Sequence, residues 1–274
     1  MRGGEVVMNS HSIGFIGGGR VVRILLQGLE RAGAFPATCV VSDQDAGVLD
    51  ALRERFPGIQ ATGADIAEPA RQDIVFGALH PPVLKEALSE IGKRLRPGAV
   101  FVSLAPVIRI PALQAALGDF DRVARMIPNA ASIVGSGFNP IALSEGILPD
   151  ERKAVLAWLG ALGECPEVPD EHLEAYAILT AMGPTYFWYQ FAELERLGID
   201  LGLGEKATRH ALSRMLHGGV EAFFGSNLSP DEVIDLIPVK PLEASENEVR
   251  EAYRTRLRAL HDKLTQRPSP VVGS

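Results

Sequence analysis

Cysteine is scarce in this chain of 274 residues, with only Cys39 and Cys165 present. Cys39 lies in a β-rich run and Cys165 beside Pro166, a pattern that excludes a disulfide framework and a cysteine-based metal site. Such usage suits a reducing compartment, so a cytoplasmic location is expected and no metal. No apolar run has the length of a membrane span, and Met1 to Ser12 lack the apolar centre of a signal peptide. Those first residues read as a disordered leader. Clusters of Lys and Arg are also missing, and the net charge of −7 argues against nucleic acid or an anionic membrane as the main partner. A small molecule is the expected ligand. No internal repeat appears, and the only biased tract is the Pro/Ser/Gly tail after Gln266.

What is present is an alternation of short β-rich runs with helical patterns between Ile13 and Leu162, the signature of a parallel sheet covered by helices. Strands are expected at Ile13 to Ile16, Thr38 to Val41, Ile74 to Ala78, Val100 to Leu104 and Val123 to Ile127. Between them, Val48, Leu49 and Leu52, then Val83, Leu84, Leu88 and Ile91, then Leu113 and Leu117 recur at helical spacing. Pro57-Gly58, Pro81-Pro82 and Pro97-Gly98 mark joints. After Cys165-Pro-Glu-Val-Pro169, which reads as a linker, the pattern becomes helical throughout. The expected fold class is therefore α/β, a doubly wound parallel sheet over residues 12–165, followed by an all-helical domain over 166–266. The segment from Glu171 to Leu197 is apolar around most of its circumference and broken only by Gly183-Pro184. A helix of that kind must be buried on several sides, either as the centre of one subunit or within an intertwined homodimer.

Within the sheet, Ser12 to Val22 reads as strand, glycine turn and helix. Gly17 allows the tight turn, Gly19 lets the backbone approach a pyrophosphate, and Val22 takes the place of the third small residue. Gly18, Arg20 and Val21 complete the turn. The N–H groups at the helix start would face the anion. Ser42 and Asp43 end the second strand, about 20 residues on, where a ribose-binding side chain is expected. A carboxylate there accepts hydrogen bonds from a ribose and repels a 2′-phosphate, so NADH is favoured over NADPH. The alternative is that Asp43 or Asp45 merely caps the helix beginning near Ala46.

Ligands of open parallel sheets sit beyond the carboxyl ends of the strands. Leu79, His80 and Pro81 follow one strand, Ala105 and Pro106 the next, and Asn129 the one after. His80 is either a donor to ribose or phosphate or an ordinary loop histidine. Arg20 either pairs with an anion or is solvated. Ala105-Pro106 offers a small loop that a nicotinamide could approach. Asn129 either donates to the nicotinamide or stitches its loop together.

Five motifs occur in the order and spacing of one family. They are Ile13-Gly-Phe-Ile-Gly-Gly-Gly-Arg-Val-Val22, Asp73-Ile-Val-Phe-Gly-Ala-Leu-His-Pro81, Val102-Ser-Leu-Ala-Pro106, Arg122-Val-Ala-Arg-Met-Ile-Pro-Asn129 and Thr180-Ala-Met-Gly-Pro-Thr-Tyr186. With the later Leu197-Gly-Ile-Asp-Leu-Gly-Leu203 turn and the Gly218-Gly219 step, the chain resembles the pyrroline-5-carboxylate reductase family nearly throughout. The resemblance implies a Rossmann-type nucleotide-binding domain, a helical domain that dimerises by interlocking, sometimes assembling further, and NAD(P)H-dependent reduction of a cyclic imine in proline biosynthesis. It also points to Thr180, Thr185 and Tyr186 on the substrate side, as hydroxyl donors or as helix packing.

Two departures stand out. The family's Gly-Ser-Gly-Pro-Ala-Tyr motif reads Ala181-Met-Gly-Pro-Thr-Tyr186 here, and its Ser-Pro-Gly-Gly-Thr-Thr turn is replaced by Ile237-Pro-Val-Lys-Pro-Leu-Glu-Ala-Ser245. Lys240 either supplies a point charge in place of the anion-binding turn or is solvated. The substrate is accordingly pyrroline-5-carboxylate or a related imine. The competing readings are a related hydroxy-acid dehydrogenase and a non-catalytic nucleotide-binding protein. The first normally needs an acid–base Lys or His on the interdomain helix, where Glu171 to Leu197 carries no Lys and only His172.

Overall fold

Every residue of the first strand, β1 (Ile13–Ile16), is buried, because helices cover both faces of the sheet it belongs to. The computed structural model describes residues 11–265, so the expected disordered leader and the tail after Gln266 lie outside the described residues apart from His11 and Ser12. The chain forms two compact units, one holding residues up to Ala181 together with those from His261 onward, the other Met182–Leu260.

In the first unit the strands β2 (Cys39–Ser42), β3 (Ile59–Ala61), β4 (Ile74–Gly77), β5 (Val100–Ser103) and β6 (Val123–Met126) run parallel to β1. With β8 (Ile141–Leu143) antiparallel on the β6 edge, the sheet has the order β3-β2-β1-β4-β5-β6-β8. The five expected strands are all present within one residue of their limits. The sheet is mostly parallel, and the pieces that sequence pattern missed, β3, β7 (Gly137–Phe138), β8 and β9 (Gly163–Glu164), are two or three residues long. Runs that short show no alternation to read. The order reverses direction between β1 and β4, which opens a crevice at their carboxyl ends.

The crossover helices are α1 (Arg20–Arg31), α2 (Ala46–Arg55), α3 (Pro81–Gly92), α4 (Ile110–Ala116) and α5 (Pro149–Gly160). Helix α1 buries Val22, Leu25, Leu26 and Leu29, an i, i+3, i+4, i+7 stripe, and stops where Gly33 turns left-handed at φ 66°. Pro81 and Pro82 open α3, where the missing N–H groups would have no intrahelical partner anyway. The expected linker at Cys165 to Pro169 is held in place beside β8, with Ile141 donating to the Pro166 carbonyl at 3.0 Å and Val168 to Ile141 at 2.9 Å. Burial raises both thiols to about 12, with the Glu167 charge adding to the effect at Cys165. Neither is a thiolate near neutrality.

The helical segment from Glu171 to Leu197, expected to be broken only at Gly183-Pro184, is divided further. A 3₁₀ turn at Asp170–His172 leads into α6 (Leu173–Tyr176) and a π-helical turn at Ala177–Ala181, and α7 (Pro184–Asp200) starts anew. Pro184 cannot donate to a preceding carbonyl, so regular helix ends before it. Leu173, Glu174, Ala177 and Ile178 are buried within the first unit.

The second unit is helical. It contains α7, α8 (Glu205–Gly225), α9 (Pro230–Asp235), α10 (Glu243–Ala252) and a π-helical stretch at Tyr253–Leu257; the following helix α11 (Arg258–Thr265) belongs to the first unit from His261 on. Helices α7 and α8 meet where Gly198 lies against Thr208, so closely that a Cβ on Gly198 would stand 2.5 Å from Thr208 Cγ2. Arg209 reaches across from α8 to Glu195 at 2.7 Å. Trp188, Phe224 and Leu242 stay exposed in this chain, Phe224 at 80%. No helix among the described residues is long and apolar enough to cross a membrane.

Gly28 sets how closely α1 can lie on the 3₁₀ turn Ala130–Val134, because a Cβ there would stand 2.2 Å from the Ser132 carbonyl oxygen. Gly28→Ala is expected to lower the free energy of unfolding by about 1–3 kcal/mol, the usual cost of overpacking. Thermal unfolding of the variant measures this, and an unchanged midpoint would contradict it.

Candidate functional site

The carboxyl end of β1 runs into three glycines with different tasks. Gly17 has φ 100°, and a Cβ on it would lie 2.6 Å from the Ala78 carbonyl oxygen, so the turn between the tips of β1 and β4 admits no side chain there. Its N–H donates to the Ser42 carbonyl at 2.8 Å. The Gly18 N–H donates to Asp43 Oδ2 at 2.7 Å, and Asp43 Oδ1 accepts from the Asp45 N–H at 2.9 Å. Gly19 then starts α1 in extended conformation. No side chain caps this helix, its first turn carries no acid, and a Cβ on Gly19 would meet nothing within 4 Å. The result is a positive helix end open to an anion.

The strand tips gather around that end. Gly19, Arg20, Val21, Leu79, His80, Pro81, Ala105 and Pro106 line one cleft of about 530 Å³ together with Ala78 and Leu104. On the other side of the turn, Gly18, Arg20, Arg23, Val48, Leu52 and Arg55 contribute to a groove of about 580 Å³ between α1 and α2. Asp45 is the cap of α2, accepting from Gly47 at 2.8 Å and Val48 at 3.3 Å, while Asp43 turns back to the glycine turn. Ser42 is buried beside it, and its hydroxyl has no hydrogen-bond partner. Val22 belongs to the core rather than to the cleft wall. An uncapped helix end, a carboxylate at the tip of β2 and a continuous cleft over the tips of β4 and β5 fit a dinucleotide.

The amide of Asn129 is used within its own unit. Its Nδ2 donates to the Thr180 carbonyl at 2.6 Å, and its Oδ1 accepts from the Ala131 N–H at 2.8 Å. Thr180 Oγ1 donates one turn back to the Tyr176 carbonyl at 2.8 Å, and Thr185 Oγ1 to Met182 at 2.6 Å. Tyr186 packs edge-on to Tyr253, and burial, then the Tyr253 charge, raises its phenol. Thr180 belongs to the first unit, whereas Thr185 and Tyr186 share the first turn of α7 in the second. Among the described residues no group of three or more His, Cys, Asp or Glu is placed to hold a metal ion.

Sequence reading missed a buried ionic cluster. Arg125 on β6 donates from Nη1 to Asp170 Oδ1 and from Nη2 to Glu174 Oε1, each at 2.5 Å, with Arg125 and Glu174 both 1% exposed. The same carboxylates hold the loop between β5 and α4. Glu174 Oε1 accepts from the Val107 N–H at 3.1 Å, and Asp170 Oδ2 from Ile110 at 3.2 Å. Val107 has φ 81°, a strained conformation for a β-branched residue. The available signals were a lone arginine in an apolar strand and two acids four residues apart. Nothing in the sequence joined them.

Comparison with known proteins agrees with this geometry. Residues 12–106 match the family described as NADP oxidoreductase, coenzyme F420-dependent. Pyrroline-5-carboxylate reductase 1 of Bacillus spizizenii is 24% identical over 233 residues, covering 84% of this chain and 78% of the relative. The pyrroline-5-carboxylate reductase of Methanosarcina acetivorans is 25% identical over 236 residues, covering 84% and 85%. In fold, the chain is similar to the NADP-bound pyrroline carboxylate reductase of Plasmodium falciparum, with a TM-score of 0.80 at 19% identity over 94% of this chain and 98% of that one. The glycine turn, the strand-tip cleft and these likenesses make the chain similar to the pyrroline-5-carboxylate reductases, with the fold of NAD(P)-dependent oxidoreductases.

Proposed function

We propose that this enzyme reduces the C=N bond of a cyclic imine, pyrroline-5-carboxylate or a close relative, with NADH favoured over NADPH. The observation that carries the reading is the uncapped start of α1 at Gly19, opening onto the cleft formed by the tips of β4 and β5. The named relatives supply the substrate class. When bound, the reduced nicotinamide supplies a hydride to the imine carbon.

The chain's own part is mostly positional. The N–H groups of Gly19 to Val22 hold the pyrophosphate, with Arg20 beside them, while Asp43 accepts from the adenosine ribose. Both Asp43 oxygens already take one backbone N–H each, which fixes the carboxylate and leaves lone pairs for a ribose. The same negative charge opposes a 2′-phosphate. Leu79, His80, Pro81, Ala105 and Pro106 form the wall along which the nicotinamide half lies. A protonated imine is already electrophilic, so placing its carbon within about 3–3.5 Å of the donor and excluding water account for most of the rate. Asn129 acts by holding the Thr180 carbonyl; the Thr180 and Thr185 hydroxyls each donate within their own helical turn, which suits helix packing, and Tyr186 is left as the proposed hydroxyl donor to substrate. Lys240 and its flanking prolines replace the family's anion-binding turn, which is the reason for including related imines as substrates. The exposed aromatic and aliphatic side chains of α7 and α8 suit burial against a second copy, and a homodimer or higher homo-oligomer is the proposed assembly.

The purified protein should oxidise NADH or NADPH in the presence of pyrroline-5-carboxylate or another cyclic imine. Absence of turnover across a panel of imines with both cofactors would reject the activity. Replacing Asp43→Ser together with Gln44→Arg should shift the ratio of the two cofactor affinities towards NADPH by about tenfold or more. Equal ratios in variant and wild type would refute the role given to Asp43.

A further inference from the structure

The buried cluster at Arg125 is not electrically balanced. Two carboxylates, Asp170 and Glu174, share one guanidinium, leaving a formal charge of −1 in a place where Glu174 is 1% exposed. Glu174 Oε2 has no hydrogen-bond partner, so its charge is not spread over further donors. Lys85 and Arg109 share the wall of an outer cleft with Glu174 and are exposed, where water screens them. The excess negative charge is therefore poorly compensated.

Its position gives it a use. Glu174 binds the N–H of Val107, the residue directly after Pro106, and Ala105-Pro106 forms the cleft wall on the other side of the same loop. A single turn of backbone, held in the strained conformation of Val107, separates the carboxylate from the wall assigned to the nicotinamide. A bound dihydronicotinamide would supply a hydride to the protonated imine carbon, so its ring would gain positive charge as the C=N electron pair settled on nitrogen. We propose that Glu174, with Asp170, stabilises that positive charge through the loop and so biases the bound cofactor towards its oxidised form and towards hydride donation. Glu174 is in this sense a positioning and electrostatic residue that touches neither cofactor nor substrate. The inference rests on the assignment of Ala105-Pro106 to the nicotinamide, argued above.

The test compares affinities for the two redox states, which a merely structural role would change in parallel. Wild type, Glu174→Gln and Glu174→Asp are titrated separately with NAD⁺ and NADH, following binding by calorimetry, with circular dichroism to check folding. In Glu174→Gln the ratio of the NAD⁺ to the NADH dissociation constant should rise about threefold to tenfold, the effect of one partly screened charge. Glu174→Asp, which keeps the charge, should stay near the wild-type ratio. If Glu174→Gln fails to fold, Asp170→Asn removes charge from the same cluster at a more exposed position and should move the ratio the same way. An unchanged ratio in the folded charge-neutralised variant, or an equal change in Glu174→Asp, would overturn the proposal while leaving nucleotide binding intact. Failure of the wild type to bind either form would instead overturn the functional reading and this inference with it.

Discussion

Helix α1 begins with its backbone N–H groups unclaimed, and the rest of the site is arranged around that fact. A helix end normally recruits a Ser, Thr, Asp or Asn to its first N–H groups, as Asp45 does for α2 within the same sheet. At Gly19 there is no side chain to do so, and the turn before it is shaped by close backbone approaches that admit only hydrogen atoms at Gly17. Helices α3 and α4 also start without a side-chain cap, but each opens with a proline at its first turn, whereas α1 starts from a glycine turn with open space beside it. On the proposed function, an anionic ligand long enough to cross the tips of β4 and β5 completes that helix start.

The second constraint is charge burial behind the loop that carries Ala105 and Pro106. Arg125, Asp170 and Glu174 tie β6, the β5–α4 loop and the start of the 170–181 segment into one body. Removing the arginine alone would strand two carboxylates, a change expected to cost several kcal/mol. The same network fixes Val107 in its left-handed conformation and so sets the shape of the loop at Ala105-Pro106. On the proposal made above, stability and cofactor chemistry draw on the same residues.

Most of the first unit was legible because its signals are local. Gly17 to Gly19, the prolines opening α3 and the apolar stripe of α1 each act within a few residues of themselves, and the five main strands follow from their β-rich runs. Which of Asp43 and Asp45 caps α2 was not legible, since both are good caps. Asp45 takes that part, and Asp43 accepts from Gly18 at 2.7 Å, between residues 25 positions apart. The short strands β3, β7, β8 and β9 have too few residues to show a period, and they depend on pairing with neighbours. The ionic cluster was hidden for the same reason, as Arg125 finds its partners 45 and 49 residues along the chain. The division of the long apolar segment near Gly183-Pro184 was visible, but the π-helical turn before it was not.

The claim on which the account turns is that the free end of α1 is the dinucleotide site, and Gly19→Asp tests it with little disturbance to the fold. Gly19 has φ −66° and open space where a Cβ would go, so aspartate fits and would cap the helix with a carboxylate. Calorimetric titration with NADH should show affinity reduced by about a hundredfold or more in a variant at least as stable as wild type, since a fixed negative charge then occupies the place of the pyrophosphate. NADH binding at wild-type affinity by folded Gly19→Asp protein would contradict the account.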